Sequence, residues 1–265
     1  VRGGQGERKT FRTCFNWLAK NHPQVVVNNL KNVVEYGRWD DLFSLQDTNV
    51  WVQYVLPMIA AEWNSNTTTL FWKWMPSNNT SSKATCTLAE QIRKYLNITH
   101  KAYRKKLSSK RAELKIVERD MCSNKWDNIN YKSVPSKASL NYKDAFLKHD
   151  KERYEAYIND VKSGKTTINA GVLYPYEIVE KCLSGDQSQT LDVLWSSLPN
   201  YLKDSKENGI VVADVSGSMS GRPMAVSISL AMYIAERNKG AFHNHFLTFS
   251  TTPSLEQVVG SNVRE

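Results

Sequence analysis

Ile210-Val211-Val212-Ala213-Asp214-Val215-Ser216-Gly217-Ser218-Met219-Ser220-Gly221 decides how this chain is read. Its first four residues are a continuous apolar run, β-branched in the first three, which suits a buried parallel strand. Asp214 stands at the carboxyl end of that strand, the edge where open α/β sheets place their ligands. A helix is predicted from Pro223, because proline is tolerated in a first helical turn. Between strand and helix, Asp-x-Ser-x-Ser puts one carboxylate and two hydroxyls on one tight loop, which Gly217 lets fold back on itself. Such hard oxygen ligands suit Mg²⁺ or Mn²⁺ rather than zinc, since no thiolate or imidazole lies nearby. With one charged ligand, much of the ion's charge stays uncompensated, so a partner's carboxylate could complete the shell. A plain strand-to-helix turn with a capping serine is the alternative.

Asp214, Ser216 and Ser218, followed by Met219, resemble the metal-ion-dependent adhesion site of von Willebrand factor A domains. The resemblance implies a doubly wound α/β domain of about six strands, needing well over ~100 residues. It also implies a Thr and an Asp from two later loops as further ligands. Thr251 and Thr252 follow the predicted second strand, which is not where that family places its Thr. Only Asp214, Ser216 and Ser218 carry over, so the Mg²⁺ (or Mn²⁺) site is expected to be incomplete and residues 205–265 to be the truncated N-terminal part of such a domain. The second strand is expected over Phe242–Phe249, with His243 and His245 on one face as ordinary strand positions rather than a metal pair.

The chain of 265 residues is 41% hydrophobic and carries a formal net charge of +9, enough apolar content for one large or two ordinary domains. From Ser205 onward five basic residues (Lys206, Arg222, Arg237, Lys239, Arg264) balance five acidic ones (Glu207, Asp214, Glu236, Glu256, Glu265). All the excess positive charge therefore lies before Ser205, and so does any attraction for a polyanion. Cys14, Cys86, Cys122 and Cys182 are widely spaced, without a Cys-x-x-Cys, which argues against a disulfide framework or a zinc site and for a reducing, cytoplasmic compartment. No apolar run approaches the ~18 residues of a membrane span, and Val1-Arg2-Gly3-Gly4 is not a signal peptide.

Before the linker Lys203–Asn208, helical periodicity dominates. A glycine-bearing cap, Arg2 to Arg8, leads into a helix carrying Phe11, Cys14, Phe15 and Leu18. A second helix runs from Pro23 to Glu35 and stops at Tyr36-Gly37. A third begins at Arg38, and a fourth, Val50 to Trp63, is expected to kink at Pro57. Leu70-Phe71-Trp72-Lys73-Trp74-Met75-Pro76 is aromatic enough to stack on bases, but core packing is the stronger reading. Leu107, Leu114, Val117 and Met121 mark the buried stripe of a helix in the most basic stretch. Further on come one long helix, Tyr142 to Val161, then Tyr176 to Cys182, then Leu191 to Leu202. Short helices on short loops are the pattern of HEAT-like repeats, although no exact sequence period is visible. Neither Gly-rich segment is a phosphate-binding loop: the first lacks Gly-Lys-Ser/Thr, and Ser163-Gly164-Lys165-Thr166 has Asn159 where the first glycine belongs.

Arg93, Lys94, Lys101, Arg104, Lys105, Lys106, Lys110 and Arg111 make the candidate nucleic-acid surface, able to meet phosphates but not to read bases. A solvated face whose lysine stems cover the core is the equal alternative.

The Arg2–Arg8 segment, Glu35-Tyr36-Gly37-Arg38-Trp39-Asp40-Asp41-Leu42, Tyr103-Arg104-Lys105-Lys106-Leu107, Val134-Pro135-Ser136 and the Asp214 loop together resemble an uncharacterised family of viruses, phages, fungi and plants. Its layout is similar to the Ro ribonucleoprotein, with TROVE-like helical repeats before a von Willebrand A domain. The resemblance implies a multidomain protein: a basic α-helical repeat domain over 1–204 that holds structured RNA or RNA ends, then a partial A-type domain over 205–265. A non-catalytic RNA-binding scaffold with a metal-dependent, carboxylate-bearing protein partner is the function expected. A protein-assembly adaptor without nucleic acid is the alternative. No nucleophile-and-base pair, paired acids or phosphate cradle points to an enzyme.

Overall fold

Phe15 and Ala19, one turn apart, are buried, and around them forms the first helix, α1 (Arg8–Asn21). The computed structural model describes residues 7–65, 67–205 and 208–265. The expected cap over residues 2–6 and part of the 203–208 linker lie outside these. Residues 1–123 and 124–265 form two compact units, whereas the sequence reading divides the chain at 204/205.

In the first unit α2 (Pro23–Tyr36) packs on α1 with Val26, Leu30 and Val33 inward. It ends at Gly37, where a Cβ would come within 2.6 Å of the Val33 carbonyl oxygen, so close approach dictates the glycine. The expected third helix is instead a 3-10 segment, Trp39–Leu45. Next, a π-helical turn (Trp51–Val55) runs into α3 (Leu56–Asn64), with Pro57 in its first turn. The wide turn lies directly before the residue that has no N–H to give, which is where a break was expected. α4 (Phe71–Trp74), α5 (Lys83–Tyr95), α6 (His100–Glu113) and α7 (Val117–Cys122) complete the unit. The single buried stripe through Leu107, Leu114, Val117 and Met121 is not formed: α6 ends before Leu114, and Lys115 at φ 50° turns the chain into α7.

Phe71 and Trp72 are fully buried, so the aromatic cluster is core rather than a base-stacking platform. The Trp63 ring stacks on Tyr103 at 4.8 Å and tilts against Trp72 at 5.0 Å. The Tyr103 hydroxyl donates to the Pro76 carbonyl at 2.8 Å, which satisfies it in a dry interior. Burial holds that phenol well above its usual pKa.

The second unit opens with 3-10 turns at Trp126–Asn128 and Tyr131–Ser133, then α8 (Ser136–His149) and α9 (Lys151–Lys162). One helix over Tyr142–Val161 was expected. Asp150 breaks it at φ −146°, ψ 46°, where its carboxylate accepts from Tyr131 Oη at 2.6 Å and Arg153 Nη1 at 2.8 Å. α10 (Pro175–Leu183) and α11 (Gln189–Ser196) follow. Lys143, 1% exposed, is held by Asp144 and Asp186, which compensate its buried charge.

The unit ends in a small mixed sheet: β1 (Val211–Asp214), α12 (Arg222–Arg237), β2 (His245–Phe249) and β3 (Leu255–Gln257). The order is β1-β2-β3, with β1 parallel to β2 and Asp214 opposite Phe249, and β3 antiparallel to β2. Ala225, Ser229, Ala231, Tyr233 and Ala235 are the buried side of α12, which packs against α10 and β1. The second strand is shorter than expected because His243 lies in the preceding turn, where its Nδ1 meets the Asn238 carbonyl at 2.7 Å. His245 Nδ1 meets the His243 carbonyl at 2.7 Å.

Candidate metal loop and basic helix face

β1 delivers Asp214 to the sheet's carboxyl edge, and a backbone bond from Val215 N to the Phe249 oxygen at 3.0 Å ties the loop to β2. Gly217–Met219 then forms a 3-10 turn that brings the two serines back. Ser216 Oγ donates to Asp214 Oδ1 at 2.6 Å, and Ser216 N donates to the same oxygen at 2.9 Å. Ser216 Oγ and Ser218 Oγ lie 3.0 Å apart. Those hydrogen bonds hold the Asp214 carboxyl below its ordinary pKa, hydroxyl first and backbone second, so it is a carboxylate at neutral pH. Adjacent oxygens around an ideal octahedral Mg²⁺ at about 2.1 Å sit about 3 Å from one another. The Ser216–Ser218 separation is close to one such edge and the Asp214–Ser216 separation is somewhat shorter. Among the described residues no three of His, Cys, Asp and Glu cluster as metal ligands.

Gly217 is not what lets the loop turn. Gly221 adopts φ 88°, ψ −139°, a region open almost only to glycine, and launches α12.

The eight basic candidates divide into two groups. Lys101, Arg104 and Lys105 follow helical i, i+3, i+4 spacing on α6, all exposed, with no carboxylate at ion-pair distance among the described residues. Lys94 at the end of α5 is also exposed and reaches Glu90 only at 3.9 Å. The other four are built into the fold. Arg93 grips Glu90 through two nitrogens at 2.8 and 2.6 Å, which holds that carboxyl at about 2, and donates to the Ile98 carbonyl. Lys106 Nζ donates to the Trp63 carbonyl at 2.6 Å and lies 5.6 Å from both the Trp63 and Trp72 rings. Burial, with Lys110 nearby, lowers its pKa. Lys110 binds Glu113 and Thr68. Arg111 donates to the carbonyls of Trp72 (3.0 Å) and Met75 (2.6 Å) and to Ser77 Oγ (2.9 Å).

Sequence reasoning missed an ionic knot around Asp41, which is 1% exposed. It accepts from Arg8 Nη1 at 2.7 Å, Arg12 Nε at 2.9 Å and the Arg38 amide at 3.0 Å. Arg38 pairs with Asp40 and lies 3.9 Å from the centre of the Trp74 ring. The spacing of Arg8 and Arg12 on one helix face, against adjacent acids at 40 and 41, was the available signal.

A domain of unknown function (DUF2828) matches residues 63–214, more than half of the chain. The chain belongs to the DUF2828 family. A second domain of unknown function (DUF7788) matches residues 208–265. The DUF2828 match contains all eight basic candidates, whereas Ser216 and Ser218 fall only in the second match and Asp214 in both. A curated relative, "Uncharacterized protein L728" of Acanthamoeba polyphaga mimivirus, is 28% identical over 310 residues. The alignment covers 100% of this chain and 54% of the relative, so the chain spans about half the length of the protein it matches. No solved structure matches significantly. No helix among the described residues is long and apolar enough to cross a membrane.

Proposed function

We propose that this protein is a non-catalytic, cytoplasmic RNA-binding scaffold. On this reading its basic helices form HEAT-like repeats, and its C-terminal sheet belongs to a von Willebrand A-type domain, as in the Ro ribonucleoprotein layout. The observation that carries the RNA reading is the stripe Lys101, Arg104 and Lys105 on α6, cationic, exposed and without acidic partners among the described residues. With Lys94 it offers four charges to phosphates and nothing shaped for base edges, so binding is sequence-tolerant. Each contact with a single strand adds about 0.7 to the salt slope, giving a slope near −3.

Filter binding of a single-stranded RNA across a salt series tests this. The triple variant Lys101→Glu, Arg104→Glu, Lys105→Glu should keep its melting temperature and lose at least about tenfold in affinity, with a shallower slope. An absence of RNA affinity at low salt, or a triple variant that binds like the parent, rules the reading out.

The oxygen face of Asp214, Ser216 and Ser218 favours a second activity at the C-terminal sheet: holding Mg²⁺ or Mn²⁺ whose open positions take a protein carboxylate. If that activity stood alone, the protein would be an assembly adaptor. Mn²⁺ titration by calorimetry should show one site that Asp214→Ala removes; equal binding by both proteins sinks this part.

A further inference from the structure

A cavity of about 560 Å³ opens in the first unit between α4, the loop after it, α6 and α7. Its lining carries four cations, Lys73, Arg104, Arg111 and Arg119, and one carboxylate, Glu118, which meets Lys73 at 3.5 Å. No carboxylate lies within ion-pair distance of Arg104, Arg111 or Arg119 among the described residues. We propose that this cavity binds a nucleoside monophosphate, either free or as the phosphorylated end of an RNA strand.

Arg111 carries the argument furthest. Its three hydrogen bonds go to two carbonyls and a hydroxyl, which fix the guanidinium without neutralising it. Each terminal nitrogen keeps one further N–H. Half-buried positive charge without a counter-charge is costly, and a doubly charged phosphate facing several guanidiniums offsets that cost with charge-assisted bonds. Arg104 on α6 and Arg119 on α7 are exposed at the cavity and can close on the same anion.

Two features favour a nucleotide over a bare anion. Asn78 Oδ1 is buried without a hydrogen-bond partner, while its amide nitrogen meets His100 Nδ1 at 3.2 Å. A turn of the Asn78 side chain, which lines the cavity, would bring that orphan acceptor to a donor such as a base amino group or a ribose hydroxyl. Leu107 and Ile116 supply an apolar wall, and the volume lies in the range of small-molecule sites. The site extends the RNA reading to a defined pocket without depending on it, since a free nucleotide satisfies the same groups.

Calorimetry on the whole chain at low salt, with adenosine monophosphate, adenosine and inorganic phosphate as probes, tests the assignment. The monophosphate should bind, inorganic phosphate should compete, and adenosine should bind at least about tenfold more weakly, the loss expected for missing charge-assisted bonds. Arg119→Glu, an exposed position outside the α6 stripe, should weaken the monophosphate by about tenfold or more and leave the melting curve unchanged. Asn78→Ala should weaken the monophosphate but not inorganic phosphate. No monophosphate binding, or binding untouched by Arg119→Glu, overturns the proposal. RNA retention without monophosphate binding removes this site and spares the scaffold; the converse removes the scaffold and spares the site. Preference for a 5′-phosphorylated over a 5′-hydroxyl oligonucleotide marks the strand end as the ligand, and indifference, with the monophosphate still bound, marks the free nucleotide.

Discussion

Replacing Asp41 with alanine removes one carboxylate that joins α1 to the 3-10 segment and caps that segment's first turn. The side chain accepts two guanidinium bonds and one backbone amide. Charge-assisted bonds contribute about 1.5–3 kcal/mol each. Arg8 and Arg12 are about a third exposed, however, and water recovers part of their loss, so about 1 kcal/mol apiece is the better figure. Loss of the cap adds about 1 kcal/mol. The total of about 3 kcal/mol corresponds to roughly 10 °C in the melting of a unit this size. The pH dependence has a definite sign. Burial alone would raise the Asp41 carboxyl, but the bonds from Arg8 and Arg12 outweigh it and hold its pKa below the ordinary value. Its stabilisation is complete above the unfolded pKa near 4 and is lost as pH falls through the lower folded value. Circular-dichroism melts of both proteins at pH 7 should therefore differ by about 10 °C, and the gap should narrow below pH 4. A difference under about 2 °C at pH 7, or one that widens in acid, refutes the reasoning.

Tyr103→Phe leaves the ring stack intact but strands the Pro76 carbonyl in the core, so urea titration should show a loss of about 1–2 kcal/mol. Gly221→Ala should cost about 1–3 kcal/mol, because alanine resists φ 88°, ψ −139°, whereas Gly217→Ala should be near neutral in the same titration. Lys106→Glu should destabilise by more than about 2 kcal/mol by placing an acceptor against the Trp63 carbonyl, while Lys105→Glu should leave the thermal melt within about 0.5 kcal/mol of the parent.

What the sequence revealed about itself was local. The apolar run before Asp214, the two serines and Pro223 each act within a few residues, and the strand, turn and helix form at those positions. The stop at Gly37 was legible for the same reason, and so was the disturbance at Pro57, which takes the form of a wide turn before it rather than a stop. The break at Asp150 was not, because what makes it a joint is the approach of Tyr131 from another segment and the reach of Arg153 to the same oxygen. Nor could composition separate Lys105 from Lys106. Adjacent residues on a helix diverge by about 100°, and only the packed structure reveals that one meets solvent and the other the Trp63 carbonyl. The Arg119 side of the cavity was equally hidden, since it depends on how Lys115 redirects the chain.

The tether between Arg222 and Glu180 has a mechanical consequence. Arg222, the residue after the Gly221 swivel, donates to Glu180 Oε1 at 2.8 Å and lies 5.6 Å from the Tyr176 ring. Serine loop and α10 are thus linked in series, and a torque that rotates the start of α12 pulls on the helix bearing Cys182. That thiol is pushed up to about 11, by burial first and then by Asp192 and Asp186, so it should resist alkylation at neutral pH. Faster labelling of Cys182, in a protein whose other cysteines are replaced by serine, would register strain arriving from the loop.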